Sequence, residues 1–558
     1  MVVWFALMLI VLLGFAGFAV DMSNWWFQAE RLQRAADAGA HAGVVFLPAD
    51  LPRATTTARA ESAKNGYTTT GASANSTMVV SQEPNPNRLR VKITTEVPTY
   101  FVGLLGVESV ELSREAVAEY ISPVPMGSPE NRLGNDPEIG YNPQLWSMVG
   151  GPNSYKHWGD RYQAKRCKLS SPHIESECTS SGNPQNKDYA TDGYMYAVEV
   201  TQKVAGQPLR IQVYDPAFVD IGSACPSSML PNATERTNLR NLSGGTKYPD
   251  AVTRYAPGAG NFCSGDVDHE GANVNTSFTV RAPNDTPWSD TDNPIINTTA
   301  CRPQTFKPYD YSNGTAIYNA LRTGTESIVD NQAPWTLAES FRRWVTICEI
   351  PAANVEVGTY ILQIRTNATA AAPTVYNSSV STGGHNRFSL RAGFGDAGVT
   401  SVSGANLTLS ARGRLPLFTN APGTEAEFFL ARVLPYDAGR VLRISLFDVG
   451  DGAGADPGTL QILPPTEFAS TFSGCSFDLD GGGSVSSTPS VCRLNGVSEN
   501  NYQAKLMTVD VPIPDDYTCD DHLPNGCWIK VKANFPDGVS DVTTWSAAIL
   551  GNPVRLVE

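Results

Sequence analysis

The sequence lacks the compact motifs by which many enzymes and metal proteins are identified. None of its ten cysteines forms a C-x-x-C pair, and neither G-x-S-x-G nor H-E-x-x-H occurs in the 558 residues. The six histidines are scattered, most of them in polar segments. Zinc and thioredoxin-like chemistry therefore have little support, and nothing marks one carboxylate pair as the acid and base of a glycoside hydrolase. We expect a protein that is not an enzyme and that has no cofactor apart from the calcium considered below.

Charged residues are also few, at 17% of the chain, and acidic residues outnumber basic ones to give a net charge of −14 and a pI near 5.0. This balance argues against nucleic acid and against anionic membrane surfaces as partners. Hydrophobic residues, at 41%, are ample for sizeable cores. The chain is too long for one typical domain, and its many Gly, Pro, Ser, Thr and Asn residues indicate turn-rich β structure.

The first twenty residues, Met1–Val20, contain no charged residue. As a helix this stretch would be about 30 Å long, roughly the thickness of the hydrocarbon core of a bilayer. Asp21 ends the apolar run, but nothing breaks the helix before Pro48, so we predict one long helix over residues 1–47. A cleaved signal peptide would need a basic n-region and a shorter apolar segment, so an anchor or filament helix is the better interpretation.

Two tryptophans, Trp25 and Trp26, follow Asp21 just beyond the apolar edge. Amphipathic indole rings favour the boundary between lipid and water. We therefore predict that these three residues lie at the membrane interface.

The second half of this helix carries a stripe of small residues. Ala35, Gly39 and Gly43 recur every four positions, with Ala36 and Ala40 beside them. That spacing lets helix backbones approach closely. An ordinary alanine-rich helix is the alternative, but two glycines, each costing about 1 kcal/mol in a helix interior, argue against it. We predict that the stripe is a face for helix packing and assembly.

Two segments of the helix resemble a known family. Phe18-Ala19-Val20-Asp21 ends the apolar run, and residues 30–43 read ERLQRAADAGAHAG. Together they resemble the N-terminal signature of the TadG-like proteins of the Flp (Tad) pilus assembly system, in which an apolar helix ending in AVD leads into an R-x-L-Q-x-A-A-D-A-A-A-L-A-G run. The resemblance is strong over the first fifty residues and looser to Tyr120.

The resemblance implies a structural protein of the bacterial cell surface whose helix is held in the inner (cytoplasmic) membrane before assembly. It also implies partners: the Tad secretion platform with its ATPase, the major pilin, and other pilin-like subunits or further copies of this chain through the N-terminal helix. The residues alone imply only an association between helices.

A small α/β module is predicted to follow at residues 48–121. Its helix is capped by Asp50, and two alternating strands follow near 88–97 and 108–121, joined by an apolar connector. Residues 122–155 are rich in Pro, Gly and Asn and are predicted to be a linker.

The remainder contains an internal repeat. AGQPLRIQVYD at residues 205–215 matches AGRVLRISLFD at residues 438–448, 233 positions later, and the match extends further back without a gap. Both copies are predicted to be a strand, a short turn and a second strand that ends in an aspartate. We predict two tandem β-sandwich domains, at 156–368 and 387–558, with a linker at 369–386. The fold class is thus α+β and mostly β.

All ten cysteines lie beyond Tyr120. An even number in the region that would be exported indicates disulfides formed in an oxidising compartment. Proximity along the chain favours the pairs Cys167–Cys178, Cys225–Cys263, Cys301–Cys348, Cys475–Cys492 and Cys519–Cys527.

Acidic loops make calcium a candidate ligand. Asp448, Asp451 and Asp456 lie in one glycine-rich loop, and Asp478 and Asp480 belong to a segment that resembles half of a calcium loop. Oxygen-rich loops suit Ca²⁺, but no loop completes the EF-hand pattern, and Asp-Gly turns are common without metal. A turn-capping role for Asp448, and for its counterpart Asp215 in the repeat, is the alternative.

Two other motifs have simpler explanations. Residues 393–398 fit G-x-G-x-x-G, but a strand-like segment follows instead of a helix, so we interpret them as a turn. Trp146, Trp158 and Trp288 could stack on sugars, but anchoring loops to a sandwich explains them better.

We therefore expect a structural surface protein of a pilus, either a pilin-like subunit or a minor or tip component. A membrane-anchored extracellular protein that binds a glycan or another ligand is the alternative. An aromatic-lined groove, or affinity that is lost on chelation of calcium, would favour this adhesive function.

Overall fold

The computed structural model describes most of the chain. The described residues are 2–47, 50–71, 74–121, 123–138, 144–168, 175, 178–179, 184–243, 248–258, 260–269, 271, 273–284, 286, 289–309, 313–329, 335–395, 406–421, 425–450, 456–482, 484–523, 526–551 and 554–557.

Helices are few after the N-terminal one. They are α1 (Val2–Gly43), α2 (Leu51–Lys64), α3 (Ala233–Arg240), α4 (Ala251–Arg254), α5 (Gly314–Thr323), α6 (Leu337–Ser340) and α7 (Glu499–Tyr502).

Strands make up most of the remaining regular structure. They are β1 (Ser76–Gln82), β2 (Arg88–Pro98), β3 (Ser109–Tyr120), β4 (Pro125–Met126), β5 (Arg132–Leu133), β6 (Gln144–Gly150), β7 (Tyr194–Val200), β8 (Leu209–Tyr214), β9 (Thr276–Arg281), β10 (Gln304–Phe306), β11 (Trp344–Ile350), β12 (Gly358–Arg365), β13 (His385–Phe394), β14 (Leu407–Arg412), β15 (Arg414–Ala421), β16 (Glu425–Arg432), β17 (Val441–Phe447), β18 (Gly458–Leu463), β19 (Ser476–Leu479), β20 (Ser487–Thr488), β21 (Arg493–Val497), β22 (Leu506–Pro512), β23 (Trp528–Asn534), β24 (Val539–Ile549) and β25 (Val554–Val557).

The fold class is the predicted one, a long apolar helix followed by mostly β structure. The chain divides into two compact units. The first comprises Met1–Ser122, Thr286–Trp288 and Gly551–Glu558, and the second comprises Pro123–Asp285 and Ser289–Leu550.

In the first unit, α1 and α2 pack against a sheet ordered β1-β2-β3-β25, in which every neighbouring pair is antiparallel. α1 ends at Gly43, before the predicted boundary, and a 3₁₀ turn over Val44–Phe46 follows it. α2 begins as predicted, because the side chain of Asp50 accepts a hydrogen bond from the backbone N–H of Arg53 at 2.9 Å.

The last strand, β25, belongs to this first unit, whereas the sequence placed it in the second sandwich. It pairs with β3 from Val554 opposite Tyr120 to Val557 opposite Val117. A free edge of β3 would present unpaired backbone groups, and β25 pairs them over these positions.

The core of the first unit lies between the helices and the sheet. Alternate residues of β2, namely Leu89, Val91 and Ile93, are fully buried there. Their partners include alanines of both helices and Ala118 and Tyr120 of β3. The apolar residues at every second position, which predicted β2, therefore form the face of β2 that lies in the core.

The second unit contains two large sheets. The eleven-stranded sheet has the order β10-β9-β12-β7-β14-β4-β16-β23-β18-β21-β20. The ten-stranded sheet has the order β11-β8-β13-β6-β15-β24-β17-β22-β19, with β5 paired to β13. Rings from the two sheets meet between them, since Phe278 lies 5.9 Å from Phe388 and Phe428 lies 5.4 Å from Trp545, measured between ring centroids.

The internal sequence repeat is also a structural repeat. β8 lies between β11 and β13, and its counterpart β17 lies between β22 and β24. In the other sheet β7 is paired with β12, and its counterpart β16 is paired with β23.

The two copies nevertheless share their sheets, unlike the tandem domains at 156–368 and 387–558 that the sequence predicts. β6 and β15 join the halves of the ten-stranded sheet, and β4 lies between β14 and β16 in the other sheet. The predicted linker at 122–155 thus supplies the central strands β4 and β6, and the predicted linker at 369–386 includes the first two residues of β13. Pairing with distant strands therefore gives strand structure to segments whose composition predicts a linker.

Candidate functional site

The apolar half of α1 has almost no cover within the chain. Among the described residues, the helix from Val2 to Phe46 is the one long and apolar enough to span a membrane, and its most apolar window has a mean hydropathy of 2.6 and is 6% buried. Its exposed side chains include Val2 (82%), Phe5 (74%), Ile10 (67%) and Phe15 (71%). Full burial of each such side chain is worth about 1.5–3 kcal/mol, so this surface strongly favours an apolar environment.

Asp21 lies at the end of the apolar half and binds a distant loop. Its fully buried carboxylate accepts backbone hydrogen bonds from Tyr100 (2.8 Å), Phe101 (2.9 Å) and Val102 (2.7 Å). Burial raises the pKa of Asp21, but the hydrogen bonds from Val102, Tyr100 and Phe101 together outweigh it and hold the pKa below its usual value. The site therefore favours the charged carboxylate.

The loop that Asp21 binds connects β2 to β3 and contains a 3₁₀ turn over Val102–Leu105. Phe101 packs directly on α1 at Gly17, where an added Cβ would lie 2.7 Å from Cγ of Phe101. Gly17 is thus the position at which the ring can approach the helix. The sequence identified this loop only as an apolar connector, because its contacts with α1 follow no local pattern.

The two interface tryptophans differ in their surroundings. The Trp25 ring is half-buried and lies edge-on to Phe18, with 6.3 Å between ring centroids. The Trp26 ring is 71% exposed. A membrane-interface location for Trp25, Trp26 and Asp21 stays a prediction.

The small-residue stripe faces the chain's own first unit. Ala35, Ala36 and Ala40 are fully buried, and Gly39 and Gly43 are buried as well. The assembly face predicted from this stripe is therefore covered by other parts of the same chain.

The cover is provided by α2 and β2. A Cβ at Gly39 would lie 2.6 Å from Oγ of Ser62. A Cβ at Gly43 would lie 2.6 Å from Cδ2 of Leu89 and 2.7 Å from the backbone oxygen of Ala54. The spacing of four thus does permit close backbone approach, and the partner is α2.

A buried carboxylate, Glu119 on β3, holds the sheet of this unit together. It is fully buried and accepts hydrogen bonds from Arg88 on β2 and from Arg555 on β25. No local pattern indicates a role for Glu119, since its partner Arg555 lies 436 positions away.

The N-terminal helix and the turn after it resemble a known protein family. Residues 1–50 match the Tad family model, "Putative Flp pilus-assembly TadE/G-like". The match covers α1 and the 3₁₀ turn after it, and confirms the resemblance seen in the sequence. No curated protein and no solved structure matches the chain.

Beyond the TadE/G-like segment, all five disulfides have the predicted pairing. They are Cys167–Cys178, Cys225–Cys263, Cys301–Cys348, Cys475–Cys492 and Cys519–Cys527. Among the described residues, Cys167, Glu175 and Cys178 are the one group of ligand-type side chains close enough to share a metal ion. Since both cysteines are in a disulfide, they have no thiolate to offer an ion.

The aspartates predicted as calcium ligands differ in burial and in hydrogen-bond partners. Asp448 is buried and accepts the backbone N–H of Ala504 at 2.5 Å, and the backbone N–H of Asp456 donates to Asp537. Asp478 and Asp480 are exposed, and Asp451 lies outside the described residues. Calcium binding at these aspartates stays a prediction.

Asp215 and Asp448, the counterparts in the repeat, have the same backbone conformation and the same kind of contact. Both have positive φ, 56° and 63°. Oδ1 of Asp215 accepts the N–H of Arg342 at 3.0 Å, as Asp448 does from Ala504, and both partners also have positive φ. These two aspartates therefore tie the ends of β8 and β17 to segments that are distant in the chain, and the turn-capping role suggested by the sequence stays a prediction.

Two of the three tryptophans considered for sugar stacking lie within the described residues. Trp146 is fully buried beside Tyr214, with ring centroids 5.5 Å apart. Trp158 is stacked on His269, with centroids 4.3 Å apart. Trp288 lies outside the described residues. Trp146 thus anchors the core of the ten-stranded sheet, and the glycan-binding alternative gains no exposed ring from it. Gly393 and Phe394, the first residues of the G-x-G-x-x-G segment interpreted as a turn, belong to β13, and residues 396–398 lie outside the described residues.

Proposed function

We propose that this chain is a non-enzymatic, cell-surface component of a Tad/Flp-type pilus system. In this proposal Val2–Val20 anchors the chain in the cytoplasmic membrane, and the disulfide-rich β unit is displayed outside. The main support is the difference between the two halves of α1. The apolar half is exposed, whereas the second half packs in the core of the first unit. Both halves lie within the segment that matches the Tad family model.

An anchor fits this difference better than burial of the whole helix in a filament core. The small residues from Ala35 to Gly43 already pack on α2 and β2, so they are not available to neighbouring subunits while the module is folded. Only the apolar half remains for lipid or for other helices. This favours a minor or tip component over a major pilin whose entire helix lines the filament.

The disulfides support export of the second unit. Five bridges and no free cysteine are typical of proteins that fold in an oxidising compartment. We expect the partners to be components of the Tad secretion platform and other pilin-like chains, reached through the N-terminal helix.

The test is fractionation of cells that express the full chain. We expect the protein in the membrane fraction, resistant to extraction by alkaline carbonate, and we expect removal of residues 2–20 to release it. Sheared filaments are examined by electron microscopy and mass spectrometry. Regular occurrence of the chain along filaments, with its apolar helix intact, would instead make it a pilin-like subunit, and a soluble full-length protein would refute the anchor.

A further inference from the structure

The tip of the hairpin between β2 and β3 is an exposed apolar surface. Its residues 99–107, TYFVGLLGV, carry no charge. Five of its side chains are exposed: Leu104 and Leu105 by 84% each, Tyr100 by 62%, Phe101 by 47% and Val107 by 44%. Adjacent exposed apolar side chains of this kind mark an interaction surface.

The position of this hairpin tip indicates what covers it. Three hydrogen bonds tie the tip to Asp21, the first residue beyond the apolar half of α1. Phe101 packs on Gly17, which lies about 6 Å further along the helix into that half. Amphipathic helices at a membrane surface are buried about 5–10 Å deep, and with the apolar half of α1 in a bilayer Phe101 would lie at a comparable depth.

Most backbone N–H groups of the hairpin tip are hydrogen-bonded, as an apolar environment requires. Three of its N–H groups donate to Asp21. Those of Thr99, Leu104, Gly106 and Val107 donate to carbonyls of the same hairpin. In lipid an unpaired backbone group costs several kcal/mol, and these bonds remove most of that penalty.

We propose that the hairpin tip inserts into the lipid bilayer beside α1, at the boundary of headgroups and acyl chains. The proposal rests on the membrane anchor argued above, with which the tip forms one continuous apolar surface. Exposed Glu96 and Glu108 flank the tip on its two strands. Attraction by anionic lipid therefore plays no part, and a zwitterionic bilayer is the partner that this surface fits.

The test uses the full chain in vesicles of phosphatidylcholine. Because no cysteine is free, a single added thiol in Leu104→Cys can carry a nitrobenzoxadiazole label. The vesicles contain a lipid with a nitroxide either near the headgroup or deep in the acyl chain. We expect the emission of the label to shift to the blue, and the shallow nitroxide to quench it more strongly than the deep one.

Two matched variants serve as controls. Val79→Cys places the label on β1, 63% exposed, opposite Lys92, which is about 20 Å along β2 from Pro98. This label should stay in water and be quenched several-fold less. Val11→Cys places the label in the apolar half of α1 and reports on the anchor itself, with stronger quenching by the deep nitroxide.

The outcomes are distinct. Quenching at position 11, with no more quenching at position 104 than at position 79, would overturn insertion of the hairpin tip but leave the anchor intact. No quenching at position 11 would overturn both. A label at position 104 that shifts to the blue but is not quenched by lipid nitroxide is covered by protein, for example a second copy, and this also overturns the proposal.

Discussion

Arg555 donates two hydrogen bonds to one oxygen of Glu119, with Nε at 3.0 Å and Nη2 at 2.8 Å from Oε2. The other oxygen accepts Nε of Arg88 at 3.0 Å and Nδ2 of Asn85 at 3.3 Å. The carboxylate is fully buried, while the Arg88 and Arg555 side chains are 38% and 43% exposed. Because Arg555 is on β25, the first unit is complete only when residues 554–557 have been made.

Removal of the Arg555 side chain should loosen β25. We expect Arg555→Ala to lower the free energy of unfolding by about 1 kcal/mol, since Glu119 keeps Arg88, and Glu119→Gln to lower it by about 2 kcal/mol, since the charge assistance from both arginines is lost. Hydrogen exchange at 554–557 and denaturant unfolding measure these effects.

A surface pair in the same unit provides the control. Lys64 and Glu61 are 70% and 31% exposed, so Lys64→Ala should cost less than about 0.5 kcal/mol. Unchanged exchange of β25 in Arg555→Ala would contradict the role assigned to this arginine.

Local features of this chain could be predicted from the sequence, and contacts between distant segments could not. The cap at Asp50 and the alternation that marks β2 depend on residues near one another in the chain. Each of the five disulfides joins two cysteines that are consecutive along the chain. The merging of the two sandwiches and the contact of Glu119 with Arg555 depend on strand pairing without a local period.

The small-residue stripe shows where this limit lies within one motif. The spacing of Ala35, Gly39 and Gly43 predicted close backbone approach, and the structure has it. Spacing describes only one surface, however, and says nothing about which helix lies opposite. Here the chain's own α2 occupies the place that the sequence assigned to another subunit.

Asp21 should control the position of the hairpin tip. We expect Asp21→Ala to leave three backbone N–H groups without their acceptor, so that hydrogen exchange at residues 100–102 accelerates at least tenfold, which corresponds to about 1.4 kcal/mol. Since the folded pKa of Asp21 is below its ordinary value, the stabilisation is present above about pH 4 and is lost as the pH falls through the folded pKa. Protection factors at residues 100–102 that do not fall as the wild-type chain is acidified would argue against this linkage.

The glycines of α1 should respond differently to alanine. At Gly43 the Cβ would meet the backbone oxygen of Ala54 at 2.7 Å, which cannot rotate away, so we expect Gly43→Ala to destabilise the first unit by about 1–3 kcal/mol. At Gly39 the nearest backbone oxygen, that of Ala58, is further away at 3.0 Å. The atom at 2.6 Å is Oγ of Ser62, which can change rotamer at the cost of its hydrogen bond to the Ala35 carbonyl, so the loss should be smaller. Gly14→Ala is the matched control, because its Cβ would meet nothing within 4 Å. Thermal unfolding in detergent measures the order, and an equal effect at all three sites would refute the packing argument.

The buried carboxylate of Asp215 predicts a pH dependence of stability. Burial raises its pKa to about 6, against the hydrogen bonds from Ser264 and the Arg342 backbone. The folded state thus binds this proton more tightly than the unfolded state, whose pKa is about 3.9. The stabilisation is complete below about pH 4 and falls as the pH rises through about 6.

Asp215→Asn should therefore reduce the fall in unfolding free energy between pH 4 and pH 6, measured by denaturant titration. Ser264→Ala keeps the carboxylate but removes a bond that lowers its pKa, so the fall should persist and extend to higher pH. Asp266, whose pKa is also raised well above its ordinary value by burial, retains its own contribution in both variants. A slope for Asp215→Asn equal to that of the wild type would disprove the assignment.

The disulfides should differ in what they contribute to the second unit, because they close loops of different length. Cys301 and Cys348 are 47 positions apart, whereas Cys519 and Cys527 are 8 apart. Loop-closure entropy predicts that replacing the first pair with alanine costs about 4 kcal/mol and the second about 2.5 kcal/mol. Urea unfolding of the two double variants under non-reducing conditions measures both. The reverse order would mean that packing around the half-buried Cys519 and its partner, and not the entropy of the unfolded chain, sets the stability that these bridges provide.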